Sequence, residues 1–474
     1  MPHQKISEHE DKIYYRTKSL CPECETLLPA AVFARQGGVF VGRECPHHGY
    51  HEGLICSDSG WYDRLPDFNV DPTPPKNLKN KIVNGCPDDC GLCQAHQQIA
   101  GTATIEISNE CNASCPVCLA DNKKTFSLSA KEVHGMIENL LTLQDTVGFV
   151  TLSGGEPTIH PELFGILDCL KRPEVGRVAI NSNGIRICTD DAFLDRLATY
   201  NNIYITLHFD GTQAKLVRGV THEFQMKALT RLLKWGIPVV PSVVAVKGLN
   251  EPELGEMVKN LLIMSPAIRT VMLTMMCYTG SHGSHYQGQS PVKRLTALGA
   301  IEAMELTTQG LIKKTDFLPL AFSNPACVTL AYYLVDEGEI TALYPLGDMN
   351  EVIKQTKNKN LGDLTFELET LFTHIIDHIY AHPKKFADGE KLLQKFKRLM
   401  QTLFPDGKTI SNAERIRLAE ERIKGIYLYQ LMDKYNFDTS RLSKCVCQHL
   451  LPDNRIIPTC AYYSYYRKKD PRFN

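Results

Sequence analysis

Nothing in the 474 residues reads as a membrane span, because no run of about 18 apolar residues occurs. The first residues, MPHQKISEHEDK, are polar and lack the apolar centre of a secretory leader. The expected compartment is therefore a reducing cytoplasm, with peripheral membrane association still compatible. Net charge is −1, so no global field draws nucleic acid or anionic lipid. The one stretch with a nucleic-acid-like mix of aromatics and bases, YYSYYRKKDPR (462–472), is short and reads as a solvated terminus or a surface anchor. No internal repeat appears beyond one doubled cysteine spacing, and no acid–base dyad is apparent.

Cysteine is what the chain has in excess, with 17 residues. Most are clustered: Cys21, Cys24, Cys45 and Cys56; Cys86, Cys90 and Cys93; Cys111, Cys115 and Cys118; Cys445, Cys447 and Cys460. Cys169, Cys188, Cys277 and Cys327 stand alone. Without a leader, cysteines two or three residues apart read as metal thiolates rather than disulfides. Two clusters, CPDDCGLC (86–93) and CNASCPVC (111–118), share the spacing Cys-x3-Cys-x2-Cys.

Length implies two or three domains. Residues 1–70 are rich in Cys, His, Pro and Gly, with short strands such as Val39–Val41, and form a metal-knuckle module. Residues 71–100 hold a linker, VDPTPPKNLKN, and the first triplet. Over 101–290, strand-like runs (102–108, 147–154, 177–184, 203–211, 238–246, 270–276) alternate with helical ones (129–143, 190–200). That alternation implies an α/β parallel sheet, either a barrel or a doubly wound sheet. Residues 291–474 read as mostly helical, with amphipathic stretches at 291–312 and 361–435, and carry the last cysteine group.

Position separates the two triplets. Cys111 follows a strand in the first βα loop, where barrels build active sites; Cys86 lies upstream in a loop-rich segment. Three thiolates on one loop can hold three irons of a [4Fe–4S] cluster and leave the fourth open, while a structural zinc or a closed cluster is the alternative. At the next strand end, TLSGGEPTIHP (151–161) offers Gly154, Gly155, Glu156 and Pro157. Glycines there permit close backbone approach to a ligand, and Glu156 offers a partner for an ammonium group. NSNG supplies Ser182 and Asn183. In ITLHFDG, alternation places Thr206, His208 and Asp210 on one face, suggesting a cavity; a satisfied core histidine is the alternative for His208.

At the N-terminal end, CPEC (21–24) and ECPHHG (44–49) give Cys21, Cys24 and Cys45 as ligands, with His48 or Cys56 as the fourth. Zinc suits such a set, and a rubredoxin-like mononuclear iron is the alternative. Cys86, Cys90 and Cys93 suit an auxiliary cluster or zinc. Cys445, Cys447 and Cys460 form another half-site, and Cys327 is placed to complete either.

The pairing of Cys-x3-Cys-x2-Cys after one strand with Gly-Gly-Glu-Pro after the next resembles the radical S-adenosylmethionine (SAM) superfamily. The resemblance implies a partial (β/α)6 TIM-like barrel with a SAM-cleaving [4Fe–4S] cluster on Cys111, Cys115 and Cys118. It places Gly154, Gly155 and Glu156 along the methionine of SAM and Ser182 and Asn183 near the ribose. VVAVKGLNEPEL (243–254) resembles the adenine side. Val117 departs from the aromatic usual before the third cysteine. TKSLCPEC, ECPHHG, GCPDDCGLC, CNASCPVC and CQHLLPDNRIIPTCAYY resemble the subfamily of archaeal tetraether lipid synthase and of methanopterin-linked methylation. That implies an N-terminal zinc or rubredoxin-like module and a C-terminal iron–sulfur region with one or two auxiliary [4Fe–4S] clusters. It also implies a small-molecule or lipid substrate and an electron donor such as flavodoxin or ferredoxin. The subfamily often carries a cysteine where this chain has Ala321.

The expected activity is hydrogen abstraction from an unactivated C–H by a 5′-deoxyadenosyl radical, leading to C–C bond formation on a lipid chain. C-methylation of a pterin-like or other small substrate is the alternative, by a route without cobalamin because no cobalamin-type domain is present. A non-enzymatic zinc or iron–sulfur protein is the rival from another class.

Overall fold

The computed structural model describes residues 11–69, 71–78, 80–120, 125–280, 291, 293–320, 322–347, 367–382, 384, 386 and 388–472. Position 321 lies outside them.

Four antiparallel strands, β1 (Lys12–Leu20), β2 (Leu27–Arg35), β3 (Gly38–Cys45) and β4 (Gly49–Cys56), make the N-terminal sheet in sequence order. One face buries Val32, Val39, Val41 and Ile55 with Trp61 and Tyr62. Arg43 on β3 is 2% exposed and donates Nε to Leu20 O (2.9 Å), Nη1 to Tyr435 O (2.8 Å) and Nη2 to Lys434 O (2.9 Å). Tyr15 and Thr17 donate to the buried carboxylate of Asp438 at 2.8 and 2.6 Å. These bonds dock the module on the C-terminal part of the chain. The 71–78 stretch has no regular structure, as a proline-rich linker should.

The six strands expected between 101 and 290 form: β5 (Thr102–Ser108), β6 (Val147–Gly154), β7 (Val175–Ser182), β8 (Ile203–His208), β9 (Val239–Ala245) and β10 (Thr270–Met275). They pair in parallel, each with the next in the chain. Strand order never reverses, which excludes the doubly wound alternative. All βα loops therefore gather at one edge. Alternation decides the faces: Ala103, Ile105 and Ile107 of β5 are fully buried, whereas Thr102 and Thr104 are half-buried on the opposite face. The helix Ala130–Leu141 buries Val133, Met136, Ile137 and Leu140, one stripe at i, i+3, i+4, i+7. Its start is fixed by a capping box between Ser129 and Glu132.

The C-terminal zone corrects the helical expectation. Helices Ala297–Thr307, Glu367–Ala381, Gly389–Leu403 and Asn412–Arg422 do form, but strands run between and after them. These are β11 (Leu318–Pro319), β12 (Val328–Asp336), β13 (Glu339–Ala342), β14 (Ile423–Tyr429), β15 (Cys447–Leu450) and β16 (Ile456–Pro458). β14 lies within the stretch read as helix. Its IKGIYLY is β-branched and aromatic, and pairing with β10 and β12 settles its state. The path of the large sheet is β11-β12-β14-β10-β9-β8-β7-β6-β5-β15-β16, with β13 beside β12.

The terminal segment is a second correction. Tyr462 is 0% exposed and Arg467 3%, so this is neither a solvated end nor a surface anchor. Tyr462 and Tyr463 donate to the buried Glu106 of β5 at 2.8 and 3.4 Å. Tyr466 donates to the carbonyls of Pro87 and Asp88 at 2.6 and 2.7 Å. The segment straps the first cysteine loop to β5. Among the described residues no helix is long and apolar enough to cross a membrane.

Arg43→Met should leave the buried carbonyl of Leu20 and the half-buried carbonyls of Lys434 and Tyr435 without this donor, at up to about 1–3 kcal/mol each. Urea titration of the zinc-loaded variant is expected to show a lowered midpoint, with residues 13–57 cleaved first in limited proteolysis.

Candidate active site and metal centres

The loop after β5 carries Cys111, Cys115 and Cys118 and is irregular, so its neighbours must hold it. Gly154 and Gly155 do this. Gly155 N donates to Ser108 O (2.7 Å) and Glu156 N to Glu110 O (2.8 Å). A Cβ on Gly154 would lie 2.0 Å from Ser108 O, and one on Gly155 2.0 Å from Glu110 O. Gly154 also sits at φ +116°. The glycines thus admit neighbouring backbone rather than bare space.

Glu156 is 2% exposed and accepts four hydrogen bonds: from Thr158 N (3.2 Å), Thr158 Oγ1 (2.5 Å), Ser182 Oγ (2.9 Å) and Asn183 N (2.7 Å). Burial raises its pKa, and these donors oppose the shift. Oε1 accepts three of these bonds and Oε2 one, and together they join the ends of β6 and β7. Pro157 opens the short turn that carries Thr158. Asn183 then reaches the cysteine loop, donating Nδ2 to Asn112 Oδ1 at 2.8 Å and lying 3.9 Å from Cys111 Sγ. Val117, where an aromatic is usual, is 3% exposed and packs with Val217, Val246, Met276 and Tyr278.

The three thiols suit a thiolate-held cluster. They lie within electrostatic range of one another, and Ala113 N donates to Cys111 Sγ at 3.4 Å. Burial pushes Cys115 up to about 11, and Arg218 pulls the other way. Arg218 was not legible as a site residue. It forms a buried ion pair with Asp210 (Nε to Oδ2, 2.9 Å). β8 ends at His208, so the alternation does not extend to Asp210, whose carboxylate also accepts from Gln225 Nε2 (3.2 Å) and Val244 N (2.8 Å). Asp210 holds Arg218 beside the cysteines. Arg467 does the same near Cys118, paired with Glu106 at 3.4 Å.

His208 does remain on the inner face with Thr206. Its ring is half-buried, its Nδ1 is buried without a partner among the described residues, and burial, aided by Arg218, holds its pKa well below the usual range.

In the N-terminal module, ligand atoms of Cys21, Cys24, Cys45 and His48 all lie within 4.8 Å of one another. Cys24–Cys45 is 3.9 Å, and His48 Nδ1 is 3.6 Å from Cys21 Sγ and 3.4 Å from Cys45 Sγ. Tetrahedral zinc bonds of about 2.0–2.3 Å place ligands roughly 3.4–3.8 Å apart, so the set fits zinc. Cys56 does not join; its Sγ lies 3.3 Å from Asp58 O in the apolar core. That removes the four-cysteine, rubredoxin-like set.

Cys327 immediately precedes β12, while Cys445 and Cys447 stand at β15, near opposite ends of the sheet path. Yet Cys327, Cys445, Cys447 and Cys460 lie within electrostatic range of one another. The sheet must therefore curl until its ends approach. Arg441, 1% exposed, donates Nη2 and Nε to Cys327 Sγ at 3.2 and 3.4 Å. Cys86 and Cys93 flank Cys90, and Cys445 is the next thiol in range of it. Cys327 thus belongs with the C-terminal group.

Residues 80–261 match the Radical SAM superfamily, and residues 13–57 match the HMPTM N-terminal zinc ribbon domain. The chain is similar to the 7,8-dihydro-6-hydroxymethylpterin dimethyltransferase of Methanocaldococcus jannaschii, at 26% identity over 96% of this chain and 94% of the relative. It is 30% identical to the mycofactocin maturase MftC of Mycobacterium tuberculosis over 32% of this chain, spanning 39% of the relative. Among solved structures, Streptococcus suis SuiB bound to its precursor peptide SuiA matches with a TM-score of 0.36 and 17% identity, over 45% of this chain and 46% of that one.

Two tests follow. Cys45→Ser should lose the single zinc, whereas Cys56→Ser should keep it, read by metal analysis of purified protein. Gly155→Ala should push the cysteine loop away and lower reconstituted iron by about four per chain, with circular dichroism unchanged. Gly135→Ala, where a Cβ meets nothing within 4 Å, should leave iron content as it is.

Proposed function

The chain is a member of the radical SAM superfamily and an enzyme, and we propose that it methylates an unactivated C–H of a small, polar heterocycle. One SAM supplies the radical that removes the hydrogen. A second SAM supplies the methyl group and leaves as S-adenosylhomocysteine, and the reduced electron donor supplies two electrons. We read the curled sheet as the partial (β/α)6 barrel, with its βα loops around the cysteines. When bound, the [4Fe–4S] cluster supplies an electron that cleaves SAM to methionine and a hydrogen-abstracting 5′-deoxyadenosyl radical. Cys111, Cys115 and Cys118 would hold it. The protein contributes position and charge. Gly154 and Gly155 fix the loop, Glu156 orients Ser182 and Asn183 toward it, and Arg218 and Arg467 offset the negative charge of thiolates. SAM would lie along the ends of β6 and β7, its amine facing backbone groups of Gly154 and Gly155 because the Glu156 carboxylate is buried and held by Thr158, Ser182 and Asn183.

The lining of the concave face supports a small polar substrate over a lipid chain. Its half-buried side chains include Thr104, Thr151, Asn181, His208, Tyr204 and Tyr429, beside the apolar Phe149, Val244 and Met272. Burying a methylene gains about 0.8 kcal/mol, whereas covering an unpaired polar group costs about 1–3 kcal/mol. Each free hydroxyl would thus cancel about one to four methylenes. In the apolar runs at 315–325 and 328–335, Leu318, Leu320 and Leu330 pack with Tyr332, Tyr344 and Tyr427. The named activity of the near-full-length M. jannaschii relative agrees with methylation of a pterin.

Auxiliary clusters are proposed on Cys327, Cys445, Cys447 and Cys460, and on Cys86, Cys90 and Cys93. Four cysteines are enough to close a cluster without the residue at 321.

Anaerobically reconstituted protein should bind clearly more than four irons and, with reduced flavodoxin, release 5′-deoxyadenosine from SAM. Changing Cys111, Cys115 and Cys118 together to Ala should abolish that release. Mass spectrometry after incubation with a reduced pterin and, separately, an isoprenoid lipid decides the substrate. A gain of one carbon on the pterin supports the reading, and coupling of lipid chains overturns it.

A further inference from the structure

The tyrosines of the inner face form a group that neither SAM chemistry nor metal binding uses. Tyr204 lies on β8 and Tyr427 and Tyr429 on β14, with β9 and β10 between those strands in the sheet. In a flat sheet three strand spacings, about 14 Å, would separate them. Here Tyr204 is in electrostatic range of both Tyr427 and Tyr429, so the curl brings them across one cavity. Each is enclosed by protein yet only half-buried, as side chains bordering an internal cavity are.

Their arrangement is ordered. The Tyr427 and Tyr429 rings stack at 6.5 Å between centroids, with 18° between planes. Tyr427 hydroxyl bonds to that of Tyr332. Among the described residues His208 Nδ1, higher on the same face of β8, is buried without a partner. Thr206 lies between Tyr204 and His208, and Ser242 stands opposite His208 on β9.

Charge narrows the ligand further. Glu106, on this face, is paired with Arg467, and Arg177 with Glu420 at 3.5 Å. These ion pairs leave aromatic faces, hydroxyls, a neutral imidazole and the apolar side chains of Val244 and Met272. The cavity also has two ends with different chemistry. His208 neighbours Arg218, which neighbours Cys115, whereas Tyr429 neighbours Cys447.

We propose that Tyr204, Tyr427 and Tyr429, with His208, Thr206 and Ser242, are the binding platform for a flat, uncharged ring that hydrogen-bonds along its edges. The ring lies between the Cys111–Cys118 loop and the Cys327/Cys445/Cys447/Cys460 group. Its faces meet the tyrosines, and its edge groups meet the hydroxyls of Tyr204 and Tyr429 and the exposed part of the His208 ring. The proposal rests on the heterocycle reading above but makes its own commitment, because it names the residues that hold the ring.

The test is calorimetric titration of the SAM-loaded holoenzyme with 6-hydroxymethylpterin, guanine and palmitate, on wild type, Tyr204→Leu, Tyr429→Leu and Tyr429→Phe. The ring probes should bind wild type, and each Leu variant should bind them roughly tenfold more weakly, as loss of an aromatic platform does. Tyr429→Phe should retain most of the stacking, and SAM affinity should be the same in all four proteins. Quenching of pterin fluorescence on binding to wild type gives a reading that needs no variant. Ring affinity unchanged in folded Leu variants, or no quenching on binding, overturns the platform. If guanine binds through these tyrosines and the pterin does not, the platform stands and the pterin reading falls. Binding of palmitate alone overturns both.

Discussion

The cysteine loop after β5 has no regular structure, so its place depends on one contact: the backbone of Gly154 and Gly155 lying against residues 108–110. The contact exists because neither residue has a Cβ, and Glu156 makes it permanent. A buried carboxylate must have its oxygens satisfied. Here the donors come from Thr158, Ser182 and Asn183, so desolvating Glu156 pulls the ends of β6 and β7 together. Asn183 then carries that order to Asn112 inside the loop. The motif therefore acts first as scaffold, and any ligand contact is made on a surface the scaffold fixes.

Buried arginines recur beside the thiols. Arg218 and Arg467 stand near the Cys111–Cys118 loop, and Arg441 contacts Cys327. Isolated buried cations would be costly. Asp210 and Glu106 neutralise the first two, and backbone carbonyls of Ala326 and Gln430 share Arg441. The thiol groups thus sit in surroundings already prepared for negative charge.

The terminal segment ties these parts together. Its tyrosines bond to Glu106 in the sheet and to the Cys86–Cys93 loop, while Cys460 just before it accepts from Met432 N at 3.3 Å. Two cysteine groups far apart in sequence, Cys86–Cys93 and the one ending at Cys460, are joined to β5 by one aromatic strap.

Sequence alone determined the alternating strands and helices, because hydrophobic period is local, and the cysteine groups, because ligand spacing within one loop is local too. The strand limits of β5 and β6 were legible to the residue. What needed the tertiary structure was every choice between distant partners. Cys327 joined the C-terminal group rather than the first triplet, His48 rather than Cys56 completed the zinc set, and β14 became a strand because β10 and β12 flank it. Asp210, on a tempting alternation, left the strand to hold Arg218. The tyrosines of β8 and β14 share a cavity only because the sheet curls. Such pairings are decided by packing across the fold, which no local pattern in the chain encodes.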